Sequence, residues 1–226
     1  MASNLSENFT RYDQKLEFIL RNAARIFAEK GYHSTSMRDI SRETNVSLAG
    51  LYHYCKSKEE LLFLIQDNCF GRVLERLQER LGEAAEPAEK LRLVIENHLS
   101  FFAANMAEMK VLSHEADALA GELHARVSGK KQQYTQLVRQ ILSEVQHSGG
   151  ERKIDLTVAT YALFGMMNWI YNWYDPRGLL SVAELVENVT RLFFSGFLAG
   201  SKGEGLQFRP QDTEAESPSV WRASRS

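Results

Sequence analysis

Cysteine and proline are scarce in this 226-residue chain, with two of the first and four of the second. Cys55 and Cys69 stand fourteen residues apart, with no C-x-x-C and no matched histidine pair. They therefore read as reduced packing residues, which excludes a disulfide scaffold and a zinc module. No apolar run approaches the roughly 20 residues that a bilayer requires. The opening MASNLSENFTRYDQK has no apolar core of the kind a signal peptide carries, so the expectation is a cytoplasmic chain with no membrane partner. Catalytic signatures are missing too. There is no G-x-S-x-G, Walker A loop, H-E-x-x-H, or G-x-G-x-x-G following a strand, and no strands on which to mount them. His114 and Glu115 are neighbours, which on a helix sets them about 100 degrees apart, a poor start for an acid/base pair. No enzyme activity, cofactor or metal is expected.

A strong excess of one charge is also lacking, since the net is -2. Its distribution is uneven. Residues 1–58 hold nine Lys or Arg against six Asp or Glu, leaving the acidic balance to the rest. A modest positive lobe on an acidic body suits a protein that touches few phosphates per subunit and doubles that number by pairing.

What is present is helical periodicity, over a 44% hydrophobic composition sufficient for a core. The expectation is an all-α chain: a three-helix DNA-binding domain over 13–58, a helical ligand-binding and dimerisation bundle over 59–200, and a disordered tail over 201–226. Leu16, Ile19, Leu20, Ala23 and Phe27 recur at helical spacing until Gly31, predicting a first helix from Asp13. Arg11 and Lys15 near its start are candidate phosphate contacts. Ser36 with Asp39 forms a capping box for a second helix over Met37–Thr44. Asn45 tolerates the left-handed turn that follows. Ser47 caps a very short third helix, Leu48–Tyr54. Ser57 with Glu60 opens a long fourth, predicted to end at Gly82.

Two short helices across a tight turn form a DNA-reading unit, the second lying in the major groove with its N-terminal end toward the bases. Ser47, Leu48, Ala49 and Gly50 are then the base-facing residues, with Leu and Ala suited to a thymine methyl. Tyr52, His53 and Lys58 are the candidates that grip the phosphate backbone, Lys58 from a helix N-terminus, and Ser36 and Arg38 are further DNA-binding candidates.

Further on, Pro87 fits the first turn of a helix running toward Met106. His98 on its apolar side reads as a satisfied core histidine. Gly121 breaks the chain before a long helix over Glu122–His147, and Gly149 with Gly150 forms a loop. Asp155 caps the most apolar segment, LTVATYALFGMMNWIYNWY, expected as one helix ending before Pro176. Ser181 with Glu184 opens the last helix, which stops at Gly200. These two closing helices are more apolar than one small bundle needs, and the surplus predicts a homodimer through a four-helix interface.

Aromatics and methionines gather mid-body. The candidate ligand-binding residues are Phe102, Met106, Met109, Tyr134, Met166, Trp169, Trp173 and Arg177. Gly165 costs about 1 kcal/mol of helix propensity, a cost kept where space is needed. A solid core remains the alternative, as large flexible side chains also fill irregular space. A cavity of at least about 300 Å³ would separate the two.

The run AARIFAEKGYHSTSMRDISRETNVSLAGLYHYCKSKEELL, ending at Leu62, resembles the N-terminal domain of the TetR/AcrR family of bacterial transcription regulators. The resemblance rests on Phe-x-x-x-Gly-Tyr, Thr-Ser-Met-Arg-Asp-Ile, Leu-Tyr-His-Tyr and Ser-Lys-Glu-Glu-Leu. Asn45 stands where Gly is common, and Cys55 where a Phe usually packs, trading a ring for a thiol beside the recognition helix. HEADAL (114–119) and ALFGMMNWIYNWYDP (162–176) are similar to the acyl-CoA-sensing subgroup. That resemblance implies an apolar tunnel with basic residues at its mouth, for which Arg126, Lys130, Lys131 and Arg177 are available. The function it implies is a repressor that binds a palindromic DNA operator as a dimer and is released by a hydrophobic effector, an acyl-CoA thioester among the candidates. A regulator with no effector, and an efflux regulator answering hydrophobic drugs, remain open.

Overall fold

The computed structural model of the protein describes residues 11–82, 84–149 and 154–197, and over these it is all-α. The expected tail and the loop at Gly150 lie outside the described residues, as does the end of the last helix beyond Phe197.

Helix α1 spans Arg11–Lys30, α2 Met37–Thr44 and α3 Leu48–Tyr54. Every punctuation mark read from the sequence operates here. Gly31 adopts φ 82° and donates its N–H to Phe27 O at 2.9 Å, closing α1. Ser36 and Asp39 form the reciprocal box, Asn45 turns the chain at φ 51°, and Ser47 accepts from the Gly50 N–H at 3.0 Å. The apolar faces of the three helices meet in a core built on Ile19, Ala23, Phe27, Ile40 and Leu51, each nearly or fully excluded from water.

Helix α4, Lys58–Leu81, belongs to two cores at once. Its first half, with Leu61, Leu62 and Ile65, completes the reading-head core, and its second half, with Val73, Leu74 and Leu77, enters the body core. Two apolar stripes along one helix do mean two neighbours. The head core also takes in Val111, Leu119 and Val127 from later in the chain, so the body reaches under the head.

The body continues with α5 (Pro87–Ala103), α6 (Met106–His114), a 3-10 turn (Ala116–Ala118), α7 (Gly121–Gly149), α8 (Leu156–Asn168), a second 3-10 turn (Trp169–Asn172) and α9 (Val182–Phe197). Asp155 caps α8 through two backbone N–H groups, and Ser181 caps α9 with Glu184 reaching back.

One expected helix is broken. The segment after Asp155 does not run helically to Tyr174; the α-helix ends at Asn168 and tightens. Trp-Ile-Tyr-Asn-Trp-Tyr is a run of aromatic and β-branched side chains with little gain from helix, and Pro176 excludes helix just beyond it. Tyr174 anchors the exit by donating its hydroxyl to Leu180 O at 3.1 Å. Trp173 is 54% exposed.

Candidate functional site: a reading head and a body cavity

At the reading head, the exposed edge of α3 carries Ser47, Ala49, Tyr52 and His53, with Leu48 and Gly50 half-buried and Leu51 fully buried beneath them. The short helix is thus held from below by Leu51 and left bare on its outer side. A Cβ at Gly50 would stand 3.1 Å from both Ser47 Oγ and Val46 Cγ1, so this position stays small to keep the cap closed. Ser36 and Arg38 lie exposed at the start of α2, and Arg42 pairs with Asp39. Cys55 replaces a ring without opening a hole at the surface: it is 2% exposed, its thiol faces Leu51 O, and burial pushes its pKa up to about 11.

Lys58 has a task other than the expected phosphate contact. Its ammonium donates to Tyr32 O at 2.8 Å, Thr35 O at 2.9 Å and His33 O at 3.4 Å, and lies 4.3 Å from the centroid of the Tyr32 ring. An ammonium has three donors, and all three are taken. Lys58 therefore staples the loop between α1 and α2 to the start of α4. Of the candidate contacts near the N-terminus, Lys15 lies over the Phe18 ring and the Arg11 side chain is outside the described residues. A residue not singled out in the sequence stands close by. Tyr12 packs tilted against the Tyr54 ring at 4.7 Å and meets His53 edge-on at 6.0 Å, bracing α3 from α1. An aromatic in a polar opening segment was its signal.

In the body, a partly open cavity of about 490 Å³ lies between α4, α5, α6, α7 and α8. Phe102, Met109, Tyr134 and Trp169 line it, and Gly165 lies on its wall with open space where a Cβ would point. Met106 and Met166 instead pack at the margin of the core, and Trp173 is outside the lining. Arg177 is outside it as well, paired with Asp175 at 3.3 Å on the surface. The helical phase of 106 and 166 turns them toward other helices, and the tightened turn after Asn168 carries 173 and 177 away.

Part of the wall is polar, and of its polar residues Gln66 was not singled out in the sequence. His98 is buried; its Nδ1 lies 3.1 Å from the Tyr134 hydroxyl and its Nε2 3.1 Å from Asn168 Oδ1. It is the satisfied histidine that was expected, yet it also faces the cavity. Burial holds its pKa down at about 3, so the ring is neutral at physiological pH. The same desolvation raises the Tyr134 phenol above its ordinary value. Gln66, 1% exposed, completes this polar side of the wall.

At the mouth stand Lys131, His124, Asp117 and Ser113. Lys131 is the one member of the four expected cations that lines the cavity. Arg126 lies over the Phe63 ring, and Lys130 pairs with Asp67 at 2.7 Å. Among the described residues no cluster of three or more His, Cys, Asp or Glu is placed to hold a metal, and no helix is long and apolar enough to cross a membrane.

Comparison with known proteins extends over both parts. Residues 19–65 match the model of the bacterial regulatory proteins of the tetR family, and residues 84–197 that of the tetracyclin repressor-like C-terminal domain. The fatty acid metabolism regulator protein of Bacillus subtilis (strain 168) is 29% identical over 182 residues, covering 79% of this chain and 93% of its own. The structure of AibR in complex with isovaleryl coenzyme A and operator DNA superposes with a TM-score of 0.71 at 30% identity, covering 79% of this chain and 97% of that one. A TetR-family regulator from Bordetella parapertussis 12822 gives 0.76 at 30% identity, covering 83% and 97%. A capped helix-turn-helix at one end, a helical cavity at the other and matches to both family halves place this chain in the TetR family of helix-turn-helix, DNA-binding transcriptional regulators.

Proposed function

We propose that the protein is a cytoplasmic repressor that binds a palindromic operator as a homodimer and lets go when an acyl-CoA thioester occupies the body. The observation that carries this reading is the 490 Å³ cavity, which exceeds the roughly 300 Å³ at which ligand sites begin and so disfavours a solid core. Rings and aliphatic side chains on most of its wall suit an acyl chain. The polar seam of His98, Tyr134 and Gln66 suits the carbonyl and amide groups of a thioester and its pantetheine arm. Lys131 and His124 at the mouth suit the phosphates that stay outside, against a single acidic neighbour, Asp117. AibR, similar to this chain over 97% of its length, was solved with such a thioester and with operator DNA.

Two α3 helices in a dimer must reach half-sites roughly 34 to 36 Å apart, or a multiple of that. A ligand that spreads the helices around the cavity tilts α4 and moves the heads off that spacing. Coupling of this kind is typically worth about 1 to 3 kcal/mol. The test is fluorescence anisotropy on fragments of the promoter beside its own gene, with isovaleryl-CoA, a longer straight-chain acyl-CoA, free CoA and a hydrophobic drug as additives. Binding that is weakened by a thioester and not by free CoA supports the reading. No binding at low salt to any fragment, or release by the drug alone, overturns it.

A further inference from the structure

Between the cavity and the reading head runs a short chain of hydrogen bonds. Gln66 lies on α4 in a stretch otherwise given to Leu62, Phe63, Ile65 and Cys69, where an apolar residue would pack without needing a partner. Its amide donates from Nε2 to Glu115 O at 3.0 Å, and the residue lines the cavity. Glu115 sits where α6 ends, its N–H donating to Val111 O at 2.9 Å and its carbonyl also accepting from the Ala118 N–H at 3.3 Å. Its carboxylate leaves the body altogether and accepts the Tyr32 N–H at 3.3 Å, a contact across 83 positions of sequence. Tyr32 is the second residue past α1, and its carbonyl is one of the three held by Lys58. Thr35 O, also held by Lys58, immediately precedes the cap of α2. Four residues thus connect the cavity wall to the loop that aims the helix-turn-helix.

Most of the contact between head and body is apolar and indifferent to small shifts. The Glu115 carboxylate is different, because its bond to one N–H depends on where the end of α6 stands. Gln66 fixes that end from inside the cavity. We propose that Gln66 senses occupancy of the cavity and that Glu115 transmits it to Tyr32, so that these two residues couple effector to operator. The inference rests on the reading of the cavity as an effector site. An occupant that engages or displaces the Gln66 amide shifts the Glu115 carbonyl, the carboxylate loses Tyr32, and the loop held by Lys58 changes its angle to α4.

The test uses full-length protein and three variants. Glu115→Ala removes the contact to Tyr32, Glu115→Gln keeps an oxygen able to accept it, and Gln66→Met keeps bulk while removing the amide. Operator affinity is measured by anisotropy with and without isovaleryl-CoA or a longer acyl-CoA, thioester binding by calorimetry, and exchange of the Tyr32 amide by hydrogen–deuterium exchange. In the wild type the thioester weakens operator binding by about tenfold or more. In Glu115→Ala the thioester still binds, the weakening falls below about threefold, and Glu115→Gln keeps most of the response; Gln66→Met, which alters the cavity wall itself, binds the thioester more weakly, and at saturating thioester its weakening of operator binding also falls below about threefold. Gln66→Met also speeds Tyr32 exchange with no thioester present. If both variants keep the full response, or if Tyr32 exchange is unchanged in Gln66→Met, the relay is overturned while the effector site stands. If no thioester binds the wild type, the effector reading falls, and the exchange measurement still decides whether Gln66 and Tyr32 are linked.

Discussion

His98 shows how much one buried side chain sets. Asn168 Oδ1 beside Nε2 requires the proton on that nitrogen, which leaves Nδ1 to accept from the Tyr134 hydroxyl. Burial, which leaves a charged ring without water, keeps it neutral. Its folded pKa, about 3, lies below the ordinary value of 6.5, so the unfolded chain takes up a proton that the folded one refuses. The stabilisation is therefore complete above pH 6.5 and is lost as the pH falls from there toward 3. Urea titrations at pH 7.5 and pH 5 should show a loss of about 2 kcal/mol from this residue, at roughly 1.4 kcal/mol per pH unit below the unfolded pKa. Glu108 acts in the opposite sense, since burial raises its carboxyl and falling pH relieves it. The wild type must therefore be compared with His98→Gln, in which the histidine part of the slope disappears. Equal slopes in the two proteins would show that the imidazole is not desolvated. Asn45 offers a second single-residue test. At φ 51° an alanine carries the left-handed penalty of roughly 1 kcal/mol, so Asn45→Ala should lower the melting temperature, whereas Asn45→Gly should hold or raise it.

At the scale of elements, α8 is built around a missing side chain. Nothing lies within 4 Å of where a Gly165 Cβ would be, so the glycine serves the cavity and not a close helix contact. Gly165→Ala should therefore raise stability by up to about 1 kcal/mol in a thermal melt, by helix propensity alone. Gly165→Leu should fill the cavity, lowering thioester affinity in calorimetry while operator affinity stays at the wild-type value. Unchanged thioester binding would place the effector elsewhere. The same helix marks the limit of what the sequence makes legible. Caps are local chemistry, so Ser36, Asn45, Ser47, Ser57 and Asp155 announce their helices without any tertiary structure. Cavity walls are not local. Phe102 and Met109 line this one and Met106 does not, because lining depends on the angle at which α5 and α6 meet the other helices. Trp169 is kept and Trp173 lost because the chain tightens into a 3-10 turn, which competes too closely with α-helix to be read from residue types. Gln66, and the carbonyl partners of Lys58, escaped for a related reason. A polar residue in an amphipathic helix reads as surface until its distant carbonyl partners are known.

Across the whole molecule the unresolved balance is apolar surface left exposed on the closing helices. Val158 is 62% exposed on α8, Trp169 61% on the 3-10 turn that follows it, and Leu192 68% on α9. These are the two helices whose sequences carry more hydrophobic residues than the bundle buries, and water is a poor neighbour for all three side chains. A second copy related by a two-fold axis would cover the same patch on both subunits at once. It would also double the phosphate contacts of a head whose net charge is only modestly positive. Leu192 separates assembly from sensing, because it lies on α9 and outside the cavity lining, whereas Trp169 belongs to both the exposed face and the cavity. Leu192→Glu should therefore sediment as a monomer while the wild type sediments as a dimer, and it should keep wild-type thioester affinity. Operator affinity should fall by more than about tenfold, because the second half-site no longer binds at the high effective concentration that linkage supplies. A variant that stays dimeric would assign the interface to another face. One that turns monomeric yet holds the operator as tightly as before would mean that a single head suffices, and the spacing mechanism of release would then have nothing to act on.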